Sequence, residues 1–167
     1  MLAAPIPPND QERLAALHEL LILDTLPEAR YDKIVQFARD EFDVPIALLS
    51  LVDANRQWFK SKVGLDVCET DRSISFCGHT ILQDDLFIIP DTLADQRFAD
   101  NPLVTDFPHI RFYAGAPLIT PSGYGLGTLC LIDRKPREVD LTDMAILSTL
   151  RDLLLQELLP PMEARDG

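Results

Sequence analysis

Apolar and polar positions alternate along this chain with two distinct periods, and the changeovers between them mark the elements. After a proline-rich lead, Asn9 and Glu12 stand at capping-box spacing, and Leu14, Leu17 and Leu21 then recur on one face, which predicts a helix over about 9–22. Thr25 and Glu28 repeat that spacing, and Tyr31, Ile34, Val35, Ala38 and Phe42 form an apolar stripe at i, i+3, i+4, i+7 and i+11, a second helix. Residues 45–52 are almost continuously apolar and stop at Asp53-Ala-Asn, as in a strand buried on both faces and followed by a turn. Arg56–Val63 pairs back on it, with Trp58 and Lys60 on one side and Phe59 on the other.

Periodicity is then lost and regained. Residues 64–72 read as polar and irregular, Ser73 or Ser75 can cap a short helix over 76–82, and 86–90 is a short strand. Residues 91–109 mix acidic residues, two prolines, Arg97 and scattered apolar positions, which predicts a structured loop with one or two helical turns. The runs 110–119 and 126–133 flank a Pro/Ser/Gly turn, the pattern of an antiparallel hairpin. From Leu141 onward, Met144, Leu147, Leu150, Leu154 and Leu158 anchor a final helix, widened by Leu153, Leu155 and Leu159. Tight turns between neighbouring strands predict an α+β architecture with an antiparallel sheet. Pro117 falls inside a strand, so a bulge is expected there.

Length fits one domain. A chain of 167 residues with 47% apolar content can bury roughly 70% of its unfolded surface around a single core. The organisation expected is a flexible lead at 1–8, one domain over 9–159 and a tail at 160–167. No window approaches the ~20 apolar residues of a membrane span, and the N-terminus has neither the basic segment nor the apolar run of a signal peptide, so the chain reads as cytoplasmic. A net charge of −12 makes nucleic acid and anionic membranes poor partners. Three cysteines, Cys68, Cys77 and Cys130, suit a reducing compartment better than a disulfide framework.

Candidate chemistry is sparse. Phe76-Cys77-Gly78-His79 sets a thiol and an imidazole at a predicted helix start, where thiolate is favoured, so redox chemistry, metal ligation and plain packing all remain open for Cys77. Two ligands fall short of a zinc site, and no metal is expected. Cys130, inside an apolar strand, reads as a small core residue, and His18 and His109 as bystanders. Asp91, Asp95, Arg97, Asn101 and Arg111 frame the long loop in two possible ways. They can hold it down by ion pairs and Asx turns, or Arg97 or Arg111 can recognise a carboxylate. Alternation puts Arg111, Tyr113 and Gly115 on one strand face and Phe112, Ala114 and Ala116 on the other; the first is the better pocket wall. No catalytic constellation is legible.

The hairpin, with Asp53-Ala-Asn-Arg-Gln-Trp-Phe-Lys60, Ser75-Phe-Cys77, Arg97-Phe-Ala-Asp-Asn-Pro102, Arg111-Phe-Tyr-Ala-Gly-Ala-Pro117 and Gly127-Thr-Leu-Cys130, resembles the GAF domains at the N-terminus of bacterial sensor histidine kinases and diguanylate cyclases. The resemblance spans roughly residues 9–157. It implies a GAF-like, PAS-related antiparallel sheet of five or six strands with helices on both sides, the terminal helices on one face and a ligand pocket on the other, beneath residues 64–109. The implied lining is Trp58, Phe76, Cys77, His79, Phe98 and Tyr113, with Arg97 or Arg111 for polar recognition. Cyclic nucleotides and bilins are disfavoured, because the Asn-Lys-Phe-Asp-Glu set is absent and Gly78 separates Cys77 from His79.

The function implied is that of a non-enzymatic sensory module in signal transduction of the two-component type. It binds an unidentified small molecule, its cofactor, if any, unknown. It acts through a homodimer built on the terminal helices, or on a separate kinase or cyclase. The dimer expectation rests on Leu150, Leu153, Leu154, Leu155 and Leu158, which cover more of the helix than one sheet face can bury. The alternative is a thiol enzyme resembling the free methionine-(R)-sulfoxide reductases, with Cys68 and Cys77 as nucleophile and resolving thiol.

Overall fold

The computed structural model describes residues 2–159; the expected tail at 160–167 lies outside them. Six strands form one antiparallel sheet: β1 (Ile46–Val52), β2 (Arg56–Val63), β3 (Glu69–Asp71), β4 (Phe87–Ile89), β5 (Phe112–Ile119) and β6 (Gly125–Asp133), in the spatial order β3-β2-β1-β6-β5-β4. Every residue of β1 and β6 is buried, since these central strands are covered on both faces. The helices are α1 (Asp10–Glu19), α2 (Ala29–Phe42), α3 (Cys77–Thr80), α4 (Pro102–Thr105) and α5 (Leu141–Leu158).

Strand alternation divides the core in two. On one face, Leu17 of α1, Tyr31, Val35 and Ala38 of α2 and Leu147, Leu150, Leu154 and Leu158 of α5 pack on Leu49, Leu51, Phe112, Ala114, Ala116, Leu118, Leu129 and Leu131. On the other, the long segment between β2 and β5 closes over Ile46, Leu48, Phe59, Tyr113, Cys130 and Ile132. The architecture is α+β, as the pattern predicts.

Several local expectations are corrected. Asn9 makes no side-chain cap, and α1 ends at Glu19 rather than 22 because Leu21 turns to positive φ. Thr25 and Glu28 form no capping box. The Lys60 side chain is wholly buried beside them, and its ammonium reaches Thr25 Oγ1 (2.7 Å), the Leu26 carbonyl (2.5 Å) and the Glu28 carboxylate (2.8 Å). A buried ammonium costs several kcal/mol unless so compensated, which outweighs the ~1 kcal/mol of a helix cap. The true capping box is Asp140 with Asp143, at the start of α5.

The β5–β6 register is regular at Pro117, which stands opposite Thr128; it slips instead between Leu118 and Ile119. Strand β4 pairs with β5 only over Tyr113–Gly115, so β5 has a free edge beside Pro117 where a missing N–H can be spared. The lead is also tied down rather than free: Leu2 N–H donates to the Arg97 carbonyl (3.2 Å) and Ala4 N–H to that of Ser73 (3.3 Å). Of the five leucines expected to cover a dimer face, Leu150, Leu154 and Leu158 are spent on the chain's own sheet, Leu155 is half-buried, and Leu153 is 43% exposed.

Candidate functional site

The sheet face away from the terminal helices carries an aromatic and thiol cluster. Phe76, just ahead of α3, stacks on Phe98 with ring centroids 4.3 Å apart and planes at 21°. It also meets Tyr113 of β5 at 5.1 Å. His79 presents its ring edge-on to Phe98 at 4.8 Å, and Phe87 of β4 approaches both Phe98 and Tyr113. The Arg97 guanidinium lies over the Phe87 and Phe98 rings, 5.0 and 5.4 Å from their centroids, and closes the cluster at its rim.

Beneath the rings runs a buried polar chain. Thr80 Oγ1 and the Tyr113 hydroxyl are 2.8 Å apart, the hydroxyl is 3.4 Å from Cys77 Sγ, and Cys77 Sγ is 2.9 Å from Thr128 Oγ1 and 4.0 Å from Cys130 Sγ. Burial works to raise the Cys77 pKa, but hydrogen bonding with Cys130, Thr128, Tyr113 and Ser50 outweighs it and brings the thiol down to about 7. The same contact with Cys77, together with burial, pushes Cys130 up. Deprotonation is thereby directed to Cys77. Burial also raises Tyr113 and lowers His79, whose ring is neutral at pH 7.

The cover is pinned by local chemistry. Asn101 accepts from Leu103 N–H (2.8 Å), capping α4, and donates to the Ile74 carbonyl (3.0 Å). Asp91 and Asp95 make Asx turns with Leu93 and Arg97 N–H. Their carboxylates also pair with Arg111 at 3.2 Å and Arg97 at 2.6 Å. The Arg97 contact holds Asp95 below the usual carboxylate range. Both arginines therefore serve the loop by ion pairing.

Of the residues expected in a pocket, the fold brings together Phe76, Cys77, His79, Phe98, Tyr113 and Arg97. Arg111 sits at the base of β5 with Asp91. Trp58 belongs to the opposite face: it stands opposite Leu51 of β1, packs in the helix-side core, and Phe59 takes its place on the thiol side. Strand alternation separates Trp58 from Phe59 but does not say which faces the helices. Cys77 is joined by Cys130, in place of Cys68, which is exposed 3.7 Å from Lys62 Nζ. Thr80, Thr128 and Cys130 were missed as site residues. The signal available was the i, i+2 placement of Thr128 and Cys130 on one face of β6. Gly115 carries a further signal, because a methyl there would run into the Tyr113 ring that lies over it. Among the described residues, no group of three or more His, Cys, Asp or Glu side chains could hold a metal, and no helix is long and apolar enough to cross a membrane.

With this sheet, its two-sided core and the covered cluster in view, comparison with known proteins gives the family. The GAF domain model matches residues 26–158, and the chain belongs to that family. It is 44% identical over 137 residues to a cyclic di-GMP phosphodiesterase of Pseudomonas aeruginosa; the match covers 82% of this chain but only 23% of that protein. Similar solved structures include the GAF domain of a phosphoenolpyruvate-protein phosphotransferase from Coxiella burnetii, with TM-score 0.65, 15% identity and coverage of 93% and 96% of the two chains. A type II free methionine-R-sulfoxide reductase from Thermoplasma acidophilum matches with TM-score 0.63, 16% identity and coverage of 85% and 94%. At such identities these two structures speak for the fold alone.

Proposed function

We propose that this GAF domain is a regulatory module that binds a small molecule beneath residues 64–109 and passes the signal to an enzyme of cyclic di-GMP turnover. The observation that carries the reading is the cluster of Phe76, Cys77, His79, Phe98 and Tyr113, four of them from a cover held largely by turns and short helices. Strand β5 presents Tyr113, and the cover, which can open locally at low cost, presents Phe76, Cys77, His79 and Phe98. A ligand that replaces Phe98 on Phe76 rearranges the cover, and with it Arg97 and the lead hydrogen-bonded to it at Leu2. The choice of output rests on the phosphodiesterase relative, in which a stretch like this chain makes up a minor part. A contact between copies through α2 and α5, where Phe37 and Leu153 stand exposed, is the proposed route of the signal.

The test is a chimera in which this chain replaces the matching stretch of the Pseudomonas phosphodiesterase. Phe98→Ala and Tyr113→Phe should each change its hydrolysis of cyclic di-GMP by ~5-fold or more, the lower range of typical coupling energies. Turnover equal to that of the unsubstituted chimera overturns the proposal. One observation favours a second reading, a thiol reductase: the Cys77 thiol titrates near neutrality with Cys130 at 4.0 Å. Turnover of free methionine-(R)-sulfoxide with a thiol donor, abolished by Cys77→Ser, would establish it.

A further inference from the structure

The lead ahead of α1 touches both parts of the cover. It leaves α1 at a fixed point: Asp10 N–H donates to the Pro7 carbonyl (3.1 Å), and the Asp10 carboxylate accepts from Nη1 and Nη2 of the buried Arg72 at 3.0 and 2.8 Å. From there Ala4 N–H donates to the Ser73 carbonyl (3.3 Å), one residue past that anchor, and Leu2 N–H donates to the Arg97 carbonyl (3.2 Å). The Leu2 backbone also hydrogen-bonds the His79 ring. Leu2 thus bridges α3 to the segment between β4 and β5, beside the bond from Asn101 to the Ile74 carbonyl (3.0 Å) and the Phe76–Phe98 stack.

Gly78 makes room for the lead. A methyl there would lie 2.7 Å from Ala4 Cβ and 2.8 Å from Ser75 Oγ, both closer than van der Waals contact. Pro5, Pro7 and Pro8 restrict the undocked chain, so seating it loses less conformational entropy. The contact is nonetheless releasable. Its two main-chain bonds are longer than the ~2.9–3.0 Å usual for N–H···O. Leu2 is 50% and Ile6 66% exposed, and clefts of about 390 and 160 Å³ border the lead, with Ile6 in the wall of each.

We propose that residues 2–8 form an intramolecular clasp that locks residues 90–109 onto α3 and must release before that part of the cover opens. Two neutral main-chain bonds favour the closed cover by roughly 5- to 100-fold, enough to bias it and too little to seal it. Arg97 carries the release inward, because its carbonyl holds Leu2 while its guanidinium lies over the Phe87 and Phe98 rings. The anchor at Asp10 ties the clasp to α1, whose Leu17 packs in the helix-side core, so the clasp joins the two faces of the sheet. For the small molecule proposed above, on which this consequence rests, the closed clasp is the barrier to entry.

The test is native-state hydrogen exchange on the full chain, on the chain lacking residues 2–6, and on Ala4→Pro, which removes the N–H donated to Ser73. No ligand is added, so failure here leaves the small-molecule reading standing, and failure of the chimera leaves the clasp. In the full chain the Leu2 and Ala4 amides should be ordered with the cover, with NMR order parameters above ~0.6. Deleting residues 2–6 should speed exchange of the Asn101, Val104 and Ile110 amides by ~10-fold or more, and Ala4→Pro by ~3-fold or more, because the contacts removed are ones the open cover has already lost. The Leu159 amide, bonded to the Leu155 carbonyl at the end of α5, should not change, since that end frays without the clasp. Order parameters below ~0.6 at Leu2 and Ala4, unchanged exchange of the three cover amides, or faster exchange of the β1 and β6 amides alone would each overturn the proposal.

Discussion

Phe98→Ala is the perturbation that weighs the covered cluster most directly. The ring is 0% exposed, stacked on Phe76 at 4.3 Å, with the His79 ring edge-on at 4.8 Å and Phe87 at 6.0 Å. Removing a buried Phe side chain costs ~3–5 kcal/mol where surroundings do not collapse, and the aromatic pairing adds ~0.5–1.5 kcal/mol. Phe98 lies in no helix or strand; its neighbours Asn101 and Asp95 hold it through backbone bonds of 2.8 and 3.0 Å. The cover can therefore sink partway into the void, which places the expected loss near ~3 kcal/mol. At this chain length that is a fall of ~6–12 °C in Tm. Urea unfolding should show the midpoint lowered and the slope unchanged. A loss below ~1 kcal/mol would refute the reasoning, because the ring would then not be a structural contact between cover and sheet.

The polar parts give further checks. Burial holds the His79 pKa below 6.5, so as pH falls through 6.5 the unfolded chain takes up the proton first. Stability from this group is complete above pH 6.5 and declines below it, by at most ~1.4 kcal/mol per pH unit; His79→Gln should flatten that slope in urea melts between pH 7.5 and 5. Asp10→Asn should cost ~3–5 kcal/mol in the same assay, because it leaves the buried Arg13 and Arg72 guanidiniums without their shared carboxylate. Burial raises the Asp10 pKa, but the bonds from Arg72 and Arg13 outweigh it and lower it overall, so that contribution is present above pH ~3.8 and fades in acid. Gly115→Ala should dislodge the Tyr113 ring and shift the Thr80 and Cys77 resonances, with β1 unaffected.

Much of this fold can be read from pattern because local and tertiary requirements coincide. The unbroken apolar run of β1, the stripe of α2 and the paired runs of β5 and β6 each satisfy one partner on each face, and all four form where periodicity puts them. The failures come from contacts distant in sequence. Thr25 and Glu28 look like a cap until Lys60, on another strand, claims both. Edge strand β3 has three residues and no alternation to detect; it exists because Arg56–Trp58 offers it a ladder. The site was legible in residue type but only partly in place. Phe76, Cys77, His79, Phe98 and Tyr113 do converge, whereas the face taken by Trp58 and the meeting of Cys77 with Cys130 depend on register across β1 and β6, which alternation along one strand does not reveal.

Native-state amide hydrogen exchange tests the central claim that the part of the cover between strands β4 and β5, residues 90–109, can open as a unit over a fixed sheet. The amides of Asn101, Val104 and Ile110, all hydrogen-bonded within or near the cover, should exchange through a shared opening several kcal/mol below global unfolding, while those of β1 and β6 exchange only with the whole domain. Phe98→Ala should lower the opening free energy of the first group by more than that of the second. Equal protection of cover and sheet, both before and after that substitution, would contradict the account.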